Sequence, residues 1–281
     1  MAALNNQFWK FKRVALMSTK GGVGKTTDSL HICYQLKKKH GLTFQYVDAD
    51  AQESGTNHCK GRANLVADCK GETESDRERP IPVEVKKLVN RLFKEQGPYV
   101  IPNVIKKSGF KAYFAEARNF YDGFVTDTQG ADSKIGREVM ISSDILIIPV
   151  NPSGMVVTEL KKLIAVIMDA RGLNPDLRVF VVFNRVVSSA KKIAREHIEF
   201  VNEMIDNYLQ AEHYTNKDME NIHVCETVIT ERQEIYNNVD VGLNAFELSK
   251  GKSLDAEMQF DTLLDEIEYL YEMNNVSREV A

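Results

Sequence analysis

The stretch S-T-K-G-G-V-G-K-T-T, residues 18–27, decides the fold. Gly21, Gly22 and Gly24 lack a Cβ, so the backbone can wrap tightly and turn its amides inward. Lys25 and Thr26 follow at once. That is the order of a phosphate-binding loop, in which a lysine reaches the terminal phosphates and a hydroxyl faces Mg²⁺. The usual formula, G-x-x-x-x-G-K-[ST], asks for glycine at position 19, where this chain has Thr19. In exchange it has a second lysine, Lys20, directly before the paired glycines.

A loop of this kind works only between a strand and a helix, whose positive end supports an anion. The flanks meet that condition. Residues 13–18 are a short apolar run. Residues 25–39 place Leu30, Cys33, Tyr34 and Leu36 at helical spacing, with Gly41 as the stop. Residues 44–47 read as the next strand and run into D-A-D. Further on, strands at 123–126, 145–149, 177–183 and 224–229 alternate with helices at 84–95, 111–120, 158–170, 190–209 and 254–273. The strands are continuous apolar runs, which predicts a mostly parallel sheet covered by helices on both faces, a three-layer α/β/α arrangement. Residues 55–82 are polar and receive no assignment beyond an exposed loop at K-G-E-T-E-S-D-R-E-R-P. Residues 98–109 stay ambiguous. No internal repeat or long linker interrupts the chain. It therefore reads as one domain over 1–281, with an extension at 1–11 and a C-terminal helix, 252–281, packed on it.

The bulk numbers fit. The chain has 281 residues, 43% hydrophobic and 27% charged, with a net charge of −4. This argues against a histone-like polycation, though a local basic patch remains open. Cys33, Cys59, Cys69 and Cys225 show no C-x-x-C spacing, so scattered reduced thiols are expected rather than a zinc or iron–sulfur centre. The N-terminus lacks an apolar signal segment, and the longest apolar runs are too short to span a bilayer, so the expected location is the cytoplasm.

Other residues join the loop. Asp48 and Asp50 follow a strand, and Asp127 ends another, where ligands bind in open α/β sheets. Asn184 follows the 177–183 strand, where an asparagine is also a common Asx-turn residue. Between residues 178 and 195 there are five basic residues and no acidic one: Arg178, Arg185, Lys191, Lys192 and Arg195. Arg185, Lys191, Lys192, Arg195 and the later Arg232 make a candidate surface for phosphate backbone. A solvated charged face is the competing reading.

K-G-G-x-G-K-T-T resembles the deviant phosphate loop of the ParA/MinD family of ATPases. Y-V-D-A-D-A-Q-E-S, residues 46–54, resembles that family's first switch, with Ala51 in place of the usual proline. D-G-F-V-T-D-T-Q-G-A-D, residues 122–132, resembles its second switch, with Gln129 a departure. Residues 227–247 resemble its late I-x-x-R…G-x-x-x-x-E segment. The resemblance implies a P-loop fold binding ATP and Mg²⁺ through Lys20, Gly21, Gly22, Val23, Gly24, Lys25, Thr26 and Thr27. Gly130 lies at the γ-phosphate and Asn184 at the adenine. Thr26, Asp50 and Asp127 surround the metal, and Asp50 orients water. Lys25 serves its own nucleotide, and Lys20 reaches the partner's across an ATP-dependent homodimer, which accounts for the two lysines. It further implies slow, stimulated ATP hydrolysis, non-specific DNA binding, nucleoid association with ATP, and a ParB-like centromere-binding partner in plasmid or chromosome partition. The acidic C-terminal helix speaks against a membrane partner. A conjugation-associated ATPase and a small-molecule ATP-dependent ligase of the same fold are the alternatives, with an iron-carrying relative and a pure ATP-binding module further behind.

Overall fold

The structure, a computed structural model, describes residues 7–18, 20–70, 83–96, 99–130, 132–152, 156–187, 191–215, 218, 220–231, 242–244, 247 and 252–279. Seven strands form one sheet: β1 (Arg13–Leu16), β2 (Phe44–Ala49), β3 (Asn103–Ile105), β4 (Gly123–Thr128), β5 (Ile145–Val150), β6 (Arg178–Phe183) and β7 (Ile222–Val224). Their spatial order is β3-β2-β4-β1-β5-β6-β7, and each neighbouring pair is parallel. Among the described residues eight helices accompany them: α1 (Lys25–His40), α2 (Ser54–Lys70), α3 (Val83–Gln96), α4 (Phe110–Ala117), α5 (Lys134–Ser142), α6 (Val156–Arg171), α7 (Lys191–Ala211) and α8 (Lys252–Glu279).

Strand parity sorts the core into two layers. Ala15 and Met17 face one side with Phe124, Leu146, Ile148 and Val181, under residues of α4, α5, α6 and α7. Val14 and Leu16 face the other with Phe44, Ile145, Ile147 and Val182, under α1 and α8. β2, β4, β5 and β6 are buried along their whole length; β5 and the Val179–Phe183 part of β6 are unbroken apolar runs, whereas β2 and β4 turn polar at their carboxyl ends, where Asp48 and Asp127 stand. β1 lies at the centre, so the loop that follows it opens at the carboxyl edge of the sheet, beside the ends of β4 and β5.

The acidic face of α8 has a local cause. It lies along α1, whose last turn carries Lys37, Lys38 and Lys39. Lys38 pairs with Glu257 at 2.5 Å and Lys39 with Asp265 at 2.6 Å. Phe260, Leu263, Leu264 and Ile267 are buried beneath these contacts. Among the described residues no helix is long and apolar enough to cross a membrane.

Three expectations on secondary structure are corrected. The unassigned stretch begins with a full helix, α2, over Ser54–Lys70; its weak amphipathic pattern hid it, because it is gripped from two sides. The ambiguous stretch contains β3, whose three residues pair with the edge of β2. The last strand is Ile222–Val224 rather than 224–229. Beyond Val224 the chain leaves the ladder and returns at a single bridge, Val186 to Thr230, while the Ile229 amide donates to the Phe183 carbonyl.

Candidate nucleotide site

The loop after β1 has the shape its glycines allow. Gly22 and Gly24 lie at φ 76° and 98°, in the left-handed region. At Gly24 the requirement is double: a Cβ there would stand 2.4 Å from the Asn184 side-chain nitrogen. α1 begins at the next residue, so its unpaired amides face the loop.

Lys25 is buried and its ammonium donates to Ser18 Oγ at 3.0 Å. Ser18 in turn donates to the Lys20 carbonyl at 2.7 Å, closing the loop on itself. The Thr26 hydroxyl donates to Asp127 Oδ2 at 2.5 Å, and the Tyr46 phenol donates to the same oxygen at 2.9 Å. Asp127 is buried, and burial pushes its carboxyl up to about 6, against the pull of the Thr26 and Tyr46 hydrogen bonds. Its other oxygen, Oδ1, is buried and has no hydrogen-bond partner among the described residues. A buried carboxylate oxygen without a donor, beside a threonine hydroxyl, suits a hard divalent cation. Thr26 and Asp127 therefore fit Mg²⁺ on their own geometry.

The two aspartates of the first switch divide the labour. Asp48 is buried and structural: its Oδ2 accepts from the Thr56 amide at 2.9 Å and the Thr56 hydroxyl at 2.8 Å, and its Oδ1 accepts from the Asp50 amide at 3.1 Å. It thereby joins the end of β2 to the first turn of α2. Asp50 is half-exposed and faces the cavity, its Oδ1 held by the Gln52 amide at 2.9 Å.

The cavity itself measures about 720 Å³ and is lined by Gly21, Gly22, Gly24, Lys25, Thr26, Thr27, Asp50, Gln129, Asn184 and Arg185, with Ser54, Asn57 and His58 of α2 at its far wall. This is in the range of a small-ligand site. The structure thus gathers most of the expected residues into one place. Lys20, Val23, Asp127 and Gly130 are not in the cavity's lining: Lys20 is exposed and lines a separate small hollow with Asn151 and Glu159, outside its own chain's cavity. Val23 is buried beside that hollow. Gly130 lies at a third hollow, beside Gln129 and α6.

Asn184 is placed as a brace. Its amide nitrogen donates to the Val23 carbonyl at 2.8 Å and to Asp28 Oδ2 at 2.6 Å, and its oxygen accepts from the Arg185 amide at 2.8 Å. Both donors are used within the protein, so one lone pair of Oδ1 is what remains for a base. Asp28 is fully buried, and burial holds its carboxyl well above the usual range.

The basic stretch does not form one surface. Arg178 is buried in β6 and donates to Asn221, so it leaves the patch. Arg185, at φ 56°, turns its guanidinium to the Gly22 carbonyl at 2.6 Å and to Glu231 at 2.6 Å, and so belongs to the rim of the loop. Arg195 is exposed on α7. The Lys191 and Lys192 side chains, and Arg232, lie outside the described residues, as do Thr19 and the Leu254 side chain.

Sequence reasoning missed Tyr46, Asp28 and a buried ion pair. The Arg62 guanidinium of α2 donates to both Glu247 oxygens, at 2.7 and 2.9 Å, and to the Gly242 carbonyl at 3.2 Å. Gly242, at φ 87°, packs where a Cβ would stand 2.3 Å from the Arg62 nitrogen. The G-x-x-x-x-E pattern is therefore a clasp on α2. Its signal was present, but its partner lay in a stretch that carried no matched motif.

Comparison with solved structures agrees with this architecture. Apo McdA of Cyanothece superposes with a TM-score of 0.59 at 15% identity, covering 92% of this chain and 99% of that one. MinD of Aquifex aeolicus gives 0.58 at 16%, covering 90% and 96%. A putative plasmid partition protein of Borrelia burgdorferi, bound to AMPPNP, gives 0.53 at 19%, covering 92% and 98%. At these identities the likeness is one of fold, the P-loop fold that MinD carries. No curated protein matches the sequence. The family model for the CobQ/CobB/MinD/ParA nucleotide-binding domain matches residues 14–245, and the chain belongs to that family.

Proposed function

We propose that this protein is a ParA-type ATPase: it binds ATP with Mg²⁺, dimerises across the nucleotide, holds DNA without reading its sequence, and drives partition with a ParB-like partner. The observation that carries the reading is the contrast between the two lysines. Lys25 is folded into its own chain's loop, while Lys20 stands exposed outside that cavity. A cation so placed is free to meet a nucleotide held by a second copy, where it would offset charge developing on the transferred phosphoryl group.

In this reading the loop amides and the α1 N-terminus cradle the phosphates, and Lys25 swings from Ser18 to the β- and γ-phosphates. Thr26 and Asp127 hold Mg²⁺, which when bound offsets phosphate charge. Asp50 orients the attacking water from the open side of the cavity, and Gly130 offers its amide as the second switch closes. Asn184 keeps the loop in register and lends Oδ1 to the adenine amine. DNA contact falls to α7, where Arg195 is exposed, together with Lys191, Lys192 and Arg232.

The test is ATP turnover, mass in solution and binding to non-specific duplex DNA, measured with ATP and with ADP. Wild type is expected to turn over slowly, to dimerise with ATP and to hold DNA only then. Lys25→Ala is expected to lose nucleotide binding. Lys20→Ala is expected to bind nucleotide and lose the dimer and the DNA. A Lys20→Ala protein that still dimerises with ATP refutes the assignment.

A further inference from the structure

At the opposite pole of the sheet, by the amino ends of β1 and β4, lies a second cavity of about 430 Å³. From Arg13 to Ser18 the chain is extended, so this site is about 16 Å from the phosphate loop. Its floor is aromatic, with Phe114 and Phe124 buried. One wall is α4, which presents Lys111, Ala115 and its C-cap Arg118 at helical spacing. The other is the turn before β1, with Lys10 and Phe11. Arg13 and Asp144 close the side and neutralise each other, the Arg13 Nε meeting Asp144 at 2.9 Å. Lys12 is drawn away, over the rings of Phe8 and Tyr271. That leaves Lys10, Lys111 and Arg118, none of which has an ion-pair partner among the described residues.

Phe11 stands at the middle of this group. It has φ 67°, a conformation a bulky side chain adopts only at a cost of about 1–2 kcal/mol. The residue is 41% exposed. Arg118 lies over it at 4.8 Å and Lys10 at 5.3 Å. A strained, exposed aromatic ring between two unpaired cations is not what packing alone selects. In an acidic chain it concentrates positive charge around one stackable face.

We propose that this pocket binds a nucleotide unit, with the base on Phe11 and the phosphate on Arg118 and Lys111, Lys10 yielding its place over the ring. Aromatic face plus basic groove is the combination that takes single-stranded nucleic acid, and the cavity is the size of a small-ligand site. A free mononucleotide and a nucleotide within a strand share this chemistry. The site is separate from the phosphate loop and does not depend on the ATPase reading.

The test is anisotropy of fluorescein-labelled (dT)20, with dTMP as competitor and without ATP or ADP, so that α7 is not in its DNA-holding state and no adenine nucleotide competes for the pocket. Phe11→Gly, which suits the backbone conformation, is expected to weaken binding about 5- to 150-fold, the span of one stacked base. Lys111→Ala/Arg118→Ala is expected to lower the salt slope by about 0.7, the value for the one phosphate the two cations share on a single strand. Lys161→Ala, which removes an exposed cation of α6 outside all of these sites, is expected to bind the strand as wild type does, so a loss in the pocket variants is not an effect of net charge. Displacement by dTMP at comparable nucleotide concentration assigns the site to free nucleotides; displacement only by strands assigns it to single-stranded nucleic acid. Full retention of (dT)20 by both the Phe11 and the α4 variants overturns the proposal. So does equal binding of blunt duplex with no effect of Phe11→Gly, or equal displacement by poly-glutamate.

Discussion

Replacing Glu247 with alanine isolates the clasp between α2 and the C-terminal segment. The Arg62 side chain is 1% exposed and that of Glu247 4%, so neither charge can recover its hydration in the folded state. The carboxylate accepts from both guanidinium nitrogens and from the Asn244 amide at 2.8 Å. Its removal orphans those donors and leaves a buried cation whose remaining partners among the described residues are the Gly242 and Tyr99 carbonyls and the faces of the Tyr34 and Phe93 rings. Breaking a buried pair on one side costs about 3–5 kcal/mol, which at roughly 2 °C per kcal/mol for a chain of this size lowers Tm by about 6–10 °C. Replacing both partners, as Arg62→Met/Glu247→Leu, removes the desolvation cost along with the attraction, and is expected to lie between neutral and about 4 kcal/mol more stable than wild type. Urea unfolding of the four proteins in the cycle gives the coupling directly. A loss below about 1 kcal/mol for Glu247→Ala would show the pair to be solvated, as exposed pairs are, and would refute the clasp.

Further expectations follow from single contacts. Tyr46→Phe deletes a hydrogen bond to the Asp127 carboxyl, worth about 1.5–3 kcal/mol for a charged acceptor; Mg²⁺-dependent nucleotide affinity is expected to change while β2 stays folded, as calorimetry with and without metal would show. Gly55→Ala would place a Cβ 1.8 Å from the Tyr46 hydroxyl, so it should reproduce the Tyr46→Phe effect and add a loss of Tm. Asn184→Ala releases Val23 and leaves the buried Asp28 without its donor; a weakened ATP affinity and a stability loss of about 1–3 kcal/mol are expected in titration and melting. His31 is buried, bonded to the Thr27 carbonyl and stacked on Phe260, and burial lowers its pKa to about 4. Because the unfolded chain takes up the proton near 6.5, stability is expected to be full above that pH and to fall as pH drops towards 4, by up to about 3 kcal/mol. His31→Gln should flatten the urea midpoint against pH in that window, and an unchanged slope would sink the assignment.

The sheet was legible because its strands are buried on both sides and carry no polar alternation, and because glycine marks the loop that feeds α1. The helix α2 was not. Its residues face Tyr46, Arg62's partners and the cavity at once, so no single apolar stripe records its position. β3 escaped for a related reason: an edge strand of three residues borrows its order from β2 and needs little signal of its own. Among the site residues, those in the loop were legible from local spacing alone. Tyr46 and Asp28 were not, since each acts through a partner far along the chain, Asp127 and Asn184.

The basic stretch shows the limit most clearly. Counted along the sequence, residues 178–195 look like one positive surface, yet strand parity sends Arg178 into the core and a left-handed turn sends Arg185 to the Gly22 carbonyl. Charge along a sequence is a count, whereas charge at a surface depends on which counter-ions the fold supplies. Lys38 and Lys39 were unremarkable in the sequence and are neutralised by α8. Lys10, Lys111 and Arg118 were equally unremarkable, scattered over more than a hundred residues, and the fold brings them to a pocket whose lining acid, Asp144, is already paired with Arg13. A cation that folding leaves unpaired retains its long-range field, so the charge at the amino-terminal pole is set by which acids the fold places beside it and not by the count along the sequence.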